Sequence, residues 1–172
     1  MDRTPWTDRK FTFDFPEGWI YDILERLRGT HVRMLDISGG LTEEQMEIKP
    51  EGKWSIKEHL GHLGDLEELH MGRLEDFIAR KEMLRAADMS NAKTNLANHN
   101  GKSRAALIEN FIRKREPFIS ALEKMDDATQ LFKSTHPRLK TFMRPVDVAF
   151  FTAEHDDHHL ASIREIISKI PI

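Results

Sequence analysis

The sequence has no cysteine among its 172 residues. Disulfide bonds, thiolate metal sites and cysteine nucleophiles are therefore excluded, and the composition fits the reducing environment of the cytoplasm. There is no basic excess either, because 26 lysines and arginines stand against 29 aspartates and glutamates, for a net charge of −3. A chain of this balance is not expected to bind nucleic acid or a membrane surface through its charge.

Long apolar runs are also missing. No run of about 18 apolar residues occurs, so no membrane span is expected. The opening stretch MDRTPWTDRKFTFDF lacks the apolar region of a signal peptide. The glycine patterns of Rossmann, P-loop and nucleophile-elbow motifs are absent as well. Any chemistry is therefore expected from histidine, carboxylate or hydroxyl groups, or from a bound metal.

The sequence does have helical periodicity along nearly its whole length. The length predicts a single domain over residues 1–172, which begins with an irregular N-terminal arm over residues 1–15. Four long amphipathic helices favour an all-α fold, a four-helix bundle. The predicted long helices cover residues 16–40, 55–87, 103–125 and 145–169, and a short helix covers residues 126–133.

The second predicted helix has a clear start signal. Ser55 is followed three residues later by Glu58, the pattern of a capping box in which each side chain bonds the other residue's backbone amide. Gly61 and Gly64 follow within this helix, and each costs on the order of 1 kcal/mol relative to alanine. Close helix packing and room for a ligand are both open explanations for these glycines.

The last predicted helix carries histidines on its apolar face. His155 and His159 lie one helical turn apart, between Val148 and Ile163, and His158 lies to one side. An HxxxH pair on a helix presents both imidazoles to one point, as a divalent metal requires. The alternative is a pair of partly buried histidines that hydrogen-bond to their neighbours.

A third metal ligand would have to come from another helix. The second helix offers three histidines, and its periodicity places His59 and His70 inward and His62 on the flank. Periodicity alone therefore does not choose the third ligand. His31 and His136 are expected outside the site.

Two segments together carry a family resemblance. WSIKEHLGHLGDLE in the second helix and EHDDHHLASI in the fourth resemble the DinB/YfiT superfamily of metal-dependent enzymes. In that family a tryptophan opens the second helix, a ligand histidine follows eight residues later, and HxxxH lies near the C-terminus. Trp54 plus eight is His62, and the segment HPRLKTFMRPVDVAFFTAEH also resembles the family's lead into the last helix. The resemblance covers roughly residues 41–170.

The resemblance implies a four-helix bundle in which His62, His155 and His159 hold a divalent metal, commonly nickel or zinc. It also implies a homodimer and, as in characterised relatives, transferase chemistry with low-molecular-weight thiols such as bacillithiol or mycothiol. One departure is that Ser162 stands where glutamine is common in relatives. This departure puts a substrate role for that position in doubt, but not the three ligands.

The predicted function is a metal-dependent enzyme that acts on a small molecule, as a thiol S-transferase or a hydrolase. Three imidazoles leave metal positions open for water or thiol. Candidate hydrogen-bond partners of the ligands are Glu58, Glu154 and Asp157, although a solvated charged face is the favoured explanation for these acids. The first alternative is a non-catalytic metal-binding or stress-response protein that dimerises. The second is a bundle whose histidines are merely packed.

Overall fold

The computed structural model of the chain describes residues 3–170, and their architecture is the expected four-helix bundle. The ends of the predicted domain, residues 1, 2, 171 and 172, lie outside this description. Four long members make up the bundle, and the first of them is two shorter helices in succession. The helices are α1 (Ile20–Arg28), α2 (Thr30–Ser38), α3 (Glu43–Glu47), α4 (Ile56–Ile78), α5 (Ala92–Leu96), α6 (Arg104–Glu123), α7 (Asp127–Gln130) and α8 (Pro145–Ile167).

A two-stranded antiparallel hairpin precedes α8, and the sequence did not predict it. Its strands are β1 (Ser134–Thr135) and β2 (Phe142–Met143), with Ser134 opposite Met143. None of the helices within residues 3–170 combines the length and apolar character that crossing a bilayer requires.

Helix α4 begins as the sequence predicts. The Ser55 hydroxyl accepts from the Glu58 amide at 3.1 Å, and the Glu58 carboxylate accepts from the Ser55 amide at 2.9 Å. Two of the backbone donors that a helix N-terminus leaves without partners are thereby satisfied. Glu58 is consequently a helix cap, and its second oxygen accepts from Lys49.

Helix α4 ends at Ile78, about nine residues earlier than predicted. Arg80 has a left-handed backbone, with φ of 53°, which stops the helix. The buried Asp76 carboxylate then accepts from the backbone amide and the guanidinium of Arg85. Leu84 donates its amide to the Thr135 carbonyl at 3.0 Å. The segment after α4 is therefore extended and lies beside β1.

The predicted first helix is also divided. Residues 17–19 form a 3₁₀ turn, α1 follows, and a break at Gly29 separates α1 from α2. Just after the break the Thr30 hydroxyl donates to the buried Asp156 carboxylate at 2.9 Å. Both halves pack against α8, and α2 also packs against α6.

The core consists of two apolar clusters separated along every long helix by buried polar residues. In α6, Phe111 belongs to one cluster, Phe118 to the other, and Arg115 lies between them. The Arg115 guanidinium donates to Glu67 at 2.7 and 2.9 Å and to Asp156 at 2.7 and 3.1 Å. We call Thr30, Glu67, Arg115 and Asp156 the polar layer. His155 and His159 of α8 lie in the same part of that helix as Asp156 of the polar layer.

The N-terminal arm packs onto the outside of α8. The Trp6 ring lies 5.0 Å from the Phe151 ring, and the Phe15 ring lies 5.2 Å from the Phe150 ring. The arm thereby extends one apolar cluster of the core. It also brings Trp6 within 5.0 Å of the His155 ring, between ring centroids.

Candidate metal centre

Three histidines from two helices meet at one point in the bundle. His62 lies in the second turn of α4, and His155 and His159 lie one turn apart in α8. One ring nitrogen from each lies within 4.8 Å of the others. The three side chains are buried, with exposed fractions of 4%, 9% and 6%. The two elements that bear the family motifs therefore bring their histidines together as the sequence predicts.

The distances suit a metal. The Nε2 atoms of His155 and His159 lie 3.1 Å apart. Two nitrogens bound at about 2.0–2.1 Å to one tetrahedral zinc would lie roughly 3.3 Å apart, so this pair needs only a small adjustment. The three residues thus fit the donor set of an imidazole-bound divalent metal.

A chain of hydrogen bonds fixes the His62 ring from behind. Its Nδ1 lies 2.9 Å from the Thr94 hydroxyl, which donates to the Asp65 carboxylate at 2.9 Å. The same carboxylate oxygen lies 2.8 Å from Nε2 of His99. A metal-ligating histidine typically bonds a carboxylate or carbonyl through its other nitrogen. Here Thr94 connects His62 to Asp65 and leaves Nε2 of His62 free to face the α8 pair.

The structure separates the roles of His59 and His62. Nδ1 of His59 lies 2.8 Å from Nδ1 of His159, so His59 contacts the side of the His159 ring opposite the nitrogen that faces His155. His62 has its own partner and joins the group of three. His70, the other inward candidate, is buried below the site, with its Nδ1 3.4 Å from the Thr152 hydroxyl.

The local environment keeps these imidazoles neutral at neutral pH. Burial lowers the pKa of His62 to about 4 and the pKa of His59 to about 3. Burial also holds the pKa values of His155 and His159 well below the usual 6.5, and the neighbouring histidines lower them further. Neutral imidazole is the form that binds metal, so no proton would have to leave on binding.

The acids named as candidate partners of the ligands do not serve that role. Glu58 caps α4, while Glu154 accepts from Arg26 at 2.6 Å. Asp157 pairs with both Arg26 and Arg33. These pairs fasten α1 and α2 to the outer face of α8. The carboxylate behind His62 is instead Asp65, three residues further along α4, which reaches the ring through the Thr94 hydroxyl.

A cavity of about 460 Å³ opens beside the three histidines. Trp54 forms one wall, with its ring 4.6 Å from the His62 ring, and Trp6 forms another. The extended segment after α4 supplies Ala86–Met89 to the rim. His136 does not belong to the group of three histidines, as expected, but it does line this cavity.

Four buried side-chain nitrogens have no hydrogen-bond partner within residues 3–170, and all four belong to residues that line this cavity. Buried polar groups are normally paired, so these four nitrogens are available to hydrogen-bond with water or a polar ligand in the cavity. The atoms are His136 Nε2, Arg138 Nη2, His155 Nδ1 and His158 Nδ1.

The loop before α6 positions the supporting residues. A Cβ atom at Gly61 would overlap the His99 ring, so the glycine allows this ring to lie against α4. Asn98 and Asn91 have left-handed backbones typical of turn residues. Asn95 accepts from the Trp54 indole at 3.1 Å. Packing, rather than ligand space, therefore explains Gly61.

Comparison with known proteins agrees with this architecture. A sequence model of the DinB superfamily matches residues 26–163. The protein therefore belongs to the DinB superfamily. A search of curated proteins finds no match.

Two solved structures share the fold. One is YfiT from Bacillus subtilis, described as a probable metal-dependent hydrolase with an unusual four-helix bundle topology. Its TM-score is 0.76 at 17% identity, over 94% of this chain and 93% of that chain. The other is the mycothiol-dependent maleylpyruvate isomerase, with a TM-score of 0.67 at 9% identity, over 87% of this chain and 61% of that chain. At these identities the similarity establishes the fold alone.

Proposed function

We propose that the protein is a metal-dependent enzyme that holds a divalent metal with His62, His155 and His159 and acts on a small molecule. The observation that carries the proposal is that the three convergent, neutral imidazoles lie in the wall of a cavity. A three-histidine site with open positions is the arrangement of catalytic zinc sites rather than of closed structural ones. Membership of the DinB superfamily and the described character of YfiT add support.

Each protein group has a separate task in this proposal. Thr94 and Asp65 orient His62, and His59 orients His159. Trp54 and Trp6 limit the access of water to the site. A bound metal would supply a Lewis acid that lowers the pKa of a coordinated water or thiol.

The proposed reaction is transfer of a low-molecular-weight thiol to an electrophile or hydrolysis of a small substrate. The chain has no cysteine, so in the transfer reaction the thiol would be a cosubstrate. Imidazole ligands suit nickel and zinc, which are the proposed metals, better than magnesium or calcium. A homodimer in the cytoplasm stays a prediction, and light scattering of the purified protein tests the dimer.

The proposal is tested first by metal content. Protein purified without a histidine tag is compared with the His155→Ala/His159→Ala variant and with a His31→Ala control, whose histidine lies away from the site. We expect about one equivalent of nickel, zinc or another transition metal in the parent and the control, and none in the double variant. No metal in the parent, and no uptake of added zinc or nickel, would contradict the proposal. Thiol-transfer and hydrolysis screens of the loaded protein follow.

The alternative, a non-catalytic metal-binding or stress-response protein, predicts a metal without an accessible pocket. The cavity beside the histidines favours the enzyme. Stoichiometric metal with no turnover in either screen would favour the alternative.

A further inference from the structure

Two arginines and a histidine line the metal-site cavity and have no task in the proposed metal centre. Arg73 comes from α4, and Arg138 and His136 come from the turn between β1 and β2. Arg73 is 3% exposed and His136 is 2% exposed. All three groups can donate hydrogen bonds, and two of them are cationic.

The backbone fixes the tautomer of His136. Its Nδ1 accepts from the amides of Arg138 and Leu139, at 3.3 and 3.2 Å. Burial, together with the charges of Arg73 and Arg138, lowers the pKa of His136 to about 3, so the ring is neutral. The single ring proton therefore resides on Nε2, and this buried N–H has no partner within residues 3–170.

The arginines also lack counterions. Neither Arg73 nor Arg138 forms an ion pair with a carboxylate in the described part of the chain, and the buried Nη2 of Arg138 has no hydrogen-bond partner there. Arg73 donates its Nε to the Arg85 carbonyl at 3.3 Å. Burial and the charge of Arg138 lower the pKa of Arg73 to about 10, which still leaves Arg73 protonated at neutral pH.

The nearby acids are already engaged. The negative charge of Asp76 acts on Arg73 by raising its pKa, but the oxygens of Asp76 accept hydrogen bonds from Lys81 and Arg85. Asp88 lines the same cavity, and its oxygens accept from Ser90 and Ala92 within its own loop. The cavity therefore contains two cations that no carboxylate in the described structure neutralises.

Such an arrangement destabilises the fold, because a guanidinium that is buried without a carboxylate partner loses hydration that a single bond to a carbonyl does not replace. It becomes favourable when an anion enters, since charge-assisted hydrogen bonds to arginine are the strong ones. The neutral His136 Nε2–H adds a directional donor to the same space.

We propose that Arg73, Arg138 and His136 form a receptor for an oxyanion, a carboxylate or phosphate group of the substrate, beside the three-histidine centre. The substrate is then a small anionic molecule whose charged end binds these donors while its reactive end faces the histidines. The assignment of the reactive end rests on the proposed function, but the oxyanion receptor exists without the metal. A volume of about 460 Å³ accommodates a small molecule of this kind.

Metal-free protein, stripped with a chelator that is then dialysed away, tests the receptor directly. Calorimetric titrations use succinate, inorganic phosphate and the neutral analogue succinamide, at constant ionic strength. The variants are Arg138→Gln, Arg138→Lys and the control Arg113→Gln, which changes an exposed arginine of α6. Circular dichroism verifies that each variant is folded.

We expect one or both anions to bind and succinamide not to bind. Arg138→Gln should weaken the anion roughly ten- to a hundredfold, Arg138→Lys less, and Arg113→Gln not at all. Binding of succinate alone or of phosphate alone supports the receptor and identifies the group it takes. No binding of either anion, equal binding of succinamide, or an equal loss in Arg113→Gln overturns it. Because metal is absent, failure here leaves the metal-content result intact, and the converse also holds.

Discussion

The Thr94 hydroxyl lies 2.9 Å from Nδ1 of His62, so a residue of the short helix α5 orients one of the three histidines of the candidate metal centre. Thr94 is 3% exposed, and its hydroxyl donates a hydrogen bond to the Asp65 carboxylate. His62 is thus held by Thr94, which lies outside the two helices that supply the three histidines, together with Asp65 of its own helix. A change that leaves all three histidines in place should still alter metal binding.

Thr94→Val keeps the shape of the side chain and removes the hydroxyl. We expect metal affinity to fall roughly ten- to a hundredfold, the usual effect of losing a partner behind a ligand. Competition with a chromophoric chelator measures this affinity. Thr129→Val is the matched control, because it removes another buried threonine hydroxyl, bonded to Asp126 away from the site. Equal affinities in the two variants would show that Thr94 does not support the metal.

Gly61 and Gly64 should respond oppositely to alanine. Alanine gains about 1 kcal/mol of helix propensity at either position. At Gly61 the added methyl overlaps the His99 ring near its base, and the bond between Asp65 and His99 holds that ring in place. At Gly64 its one tight contact is the amide end of Asn110, at 2.9 Å, which can move, and the Phe111 backbone lies at an ordinary contact distance of 3.7 Å. We expect Gly61→Ala to be destabilised by roughly 1 kcal/mol or more and Gly64→Ala to be neutral or stabilised, as measured by urea unfolding.

Arg115→Met should strongly destabilise the protein. The substitution leaves Glu67 and Asp156 buried without their cation, and breaking a buried pair in this way costs about 3–5 kcal/mol. Arg113→Met, on the exposed side of the same helix, should change stability by no more than about 0.5 kcal/mol. Chemical denaturation of both variants gives the comparison. An unfolding free energy of Arg115→Met close to that of the parent would disprove the role of the polar layer.

Acid should destabilise the metal-free protein. The folded state holds His136 neutral with a pKa of about 3, whereas the unfolded chain protonates it near pH 6.5. Between these values the unfolded state binds more protons, so the free energy of unfolding falls as pH falls from 6.5 toward 3.

The unfolding free energy of His136→Gln should therefore depend less steeply on pH. In the middle of this range the slope should decrease by roughly 1.4 kcal/mol per pH unit, which corresponds to about one proton. Urea unfolding at pH 7.5, 6.0 and 5.0 measures the slope. Arg113→Gln, which changes an exposed residue of α6, serves as the control and should retain the parental slope. A parental slope in His136→Gln would mean that the folded protein takes up this proton after all.

The sequence was sufficient for the features that local patterns determine. The capping box of Ser55 and Glu58, the helix over residues 145–167 and the juxtaposition of His155 and His159 all follow from contacts between near neighbours in the chain. The DinB motif then selected His62 over His59, and the geometry groups the same three histidines.

The features that the sequence did not reveal depend on distant contacts. Two tertiary contacts determine where α4 ends. Asp76 accepts hydrogen bonds from Arg85, nine residues later, and the amide of Leu84 donates to the carbonyl of Thr135 in β1. Local propensity favoured a longer helix, but these tertiary bonds outweigh it. The role of Thr94 could not be seen for the same reason, since 32 residues separate it from His62.

The polar layer also fixes how the helices align along the bundle axis. Helices that pack through apolar residues alone can shift along one another at little cost in free energy, because a contact with one leucine can be replaced by a contact with the next. A slip of α6 by one turn, about 5.4 Å, would carry Arg115 away from both carboxylates and into an apolar cluster. Misaligned assemblies are thereby penalised far more than the aligned one. Because His155 precedes Asp156 in α8, the same alignment determines the level at which His155 meets His62.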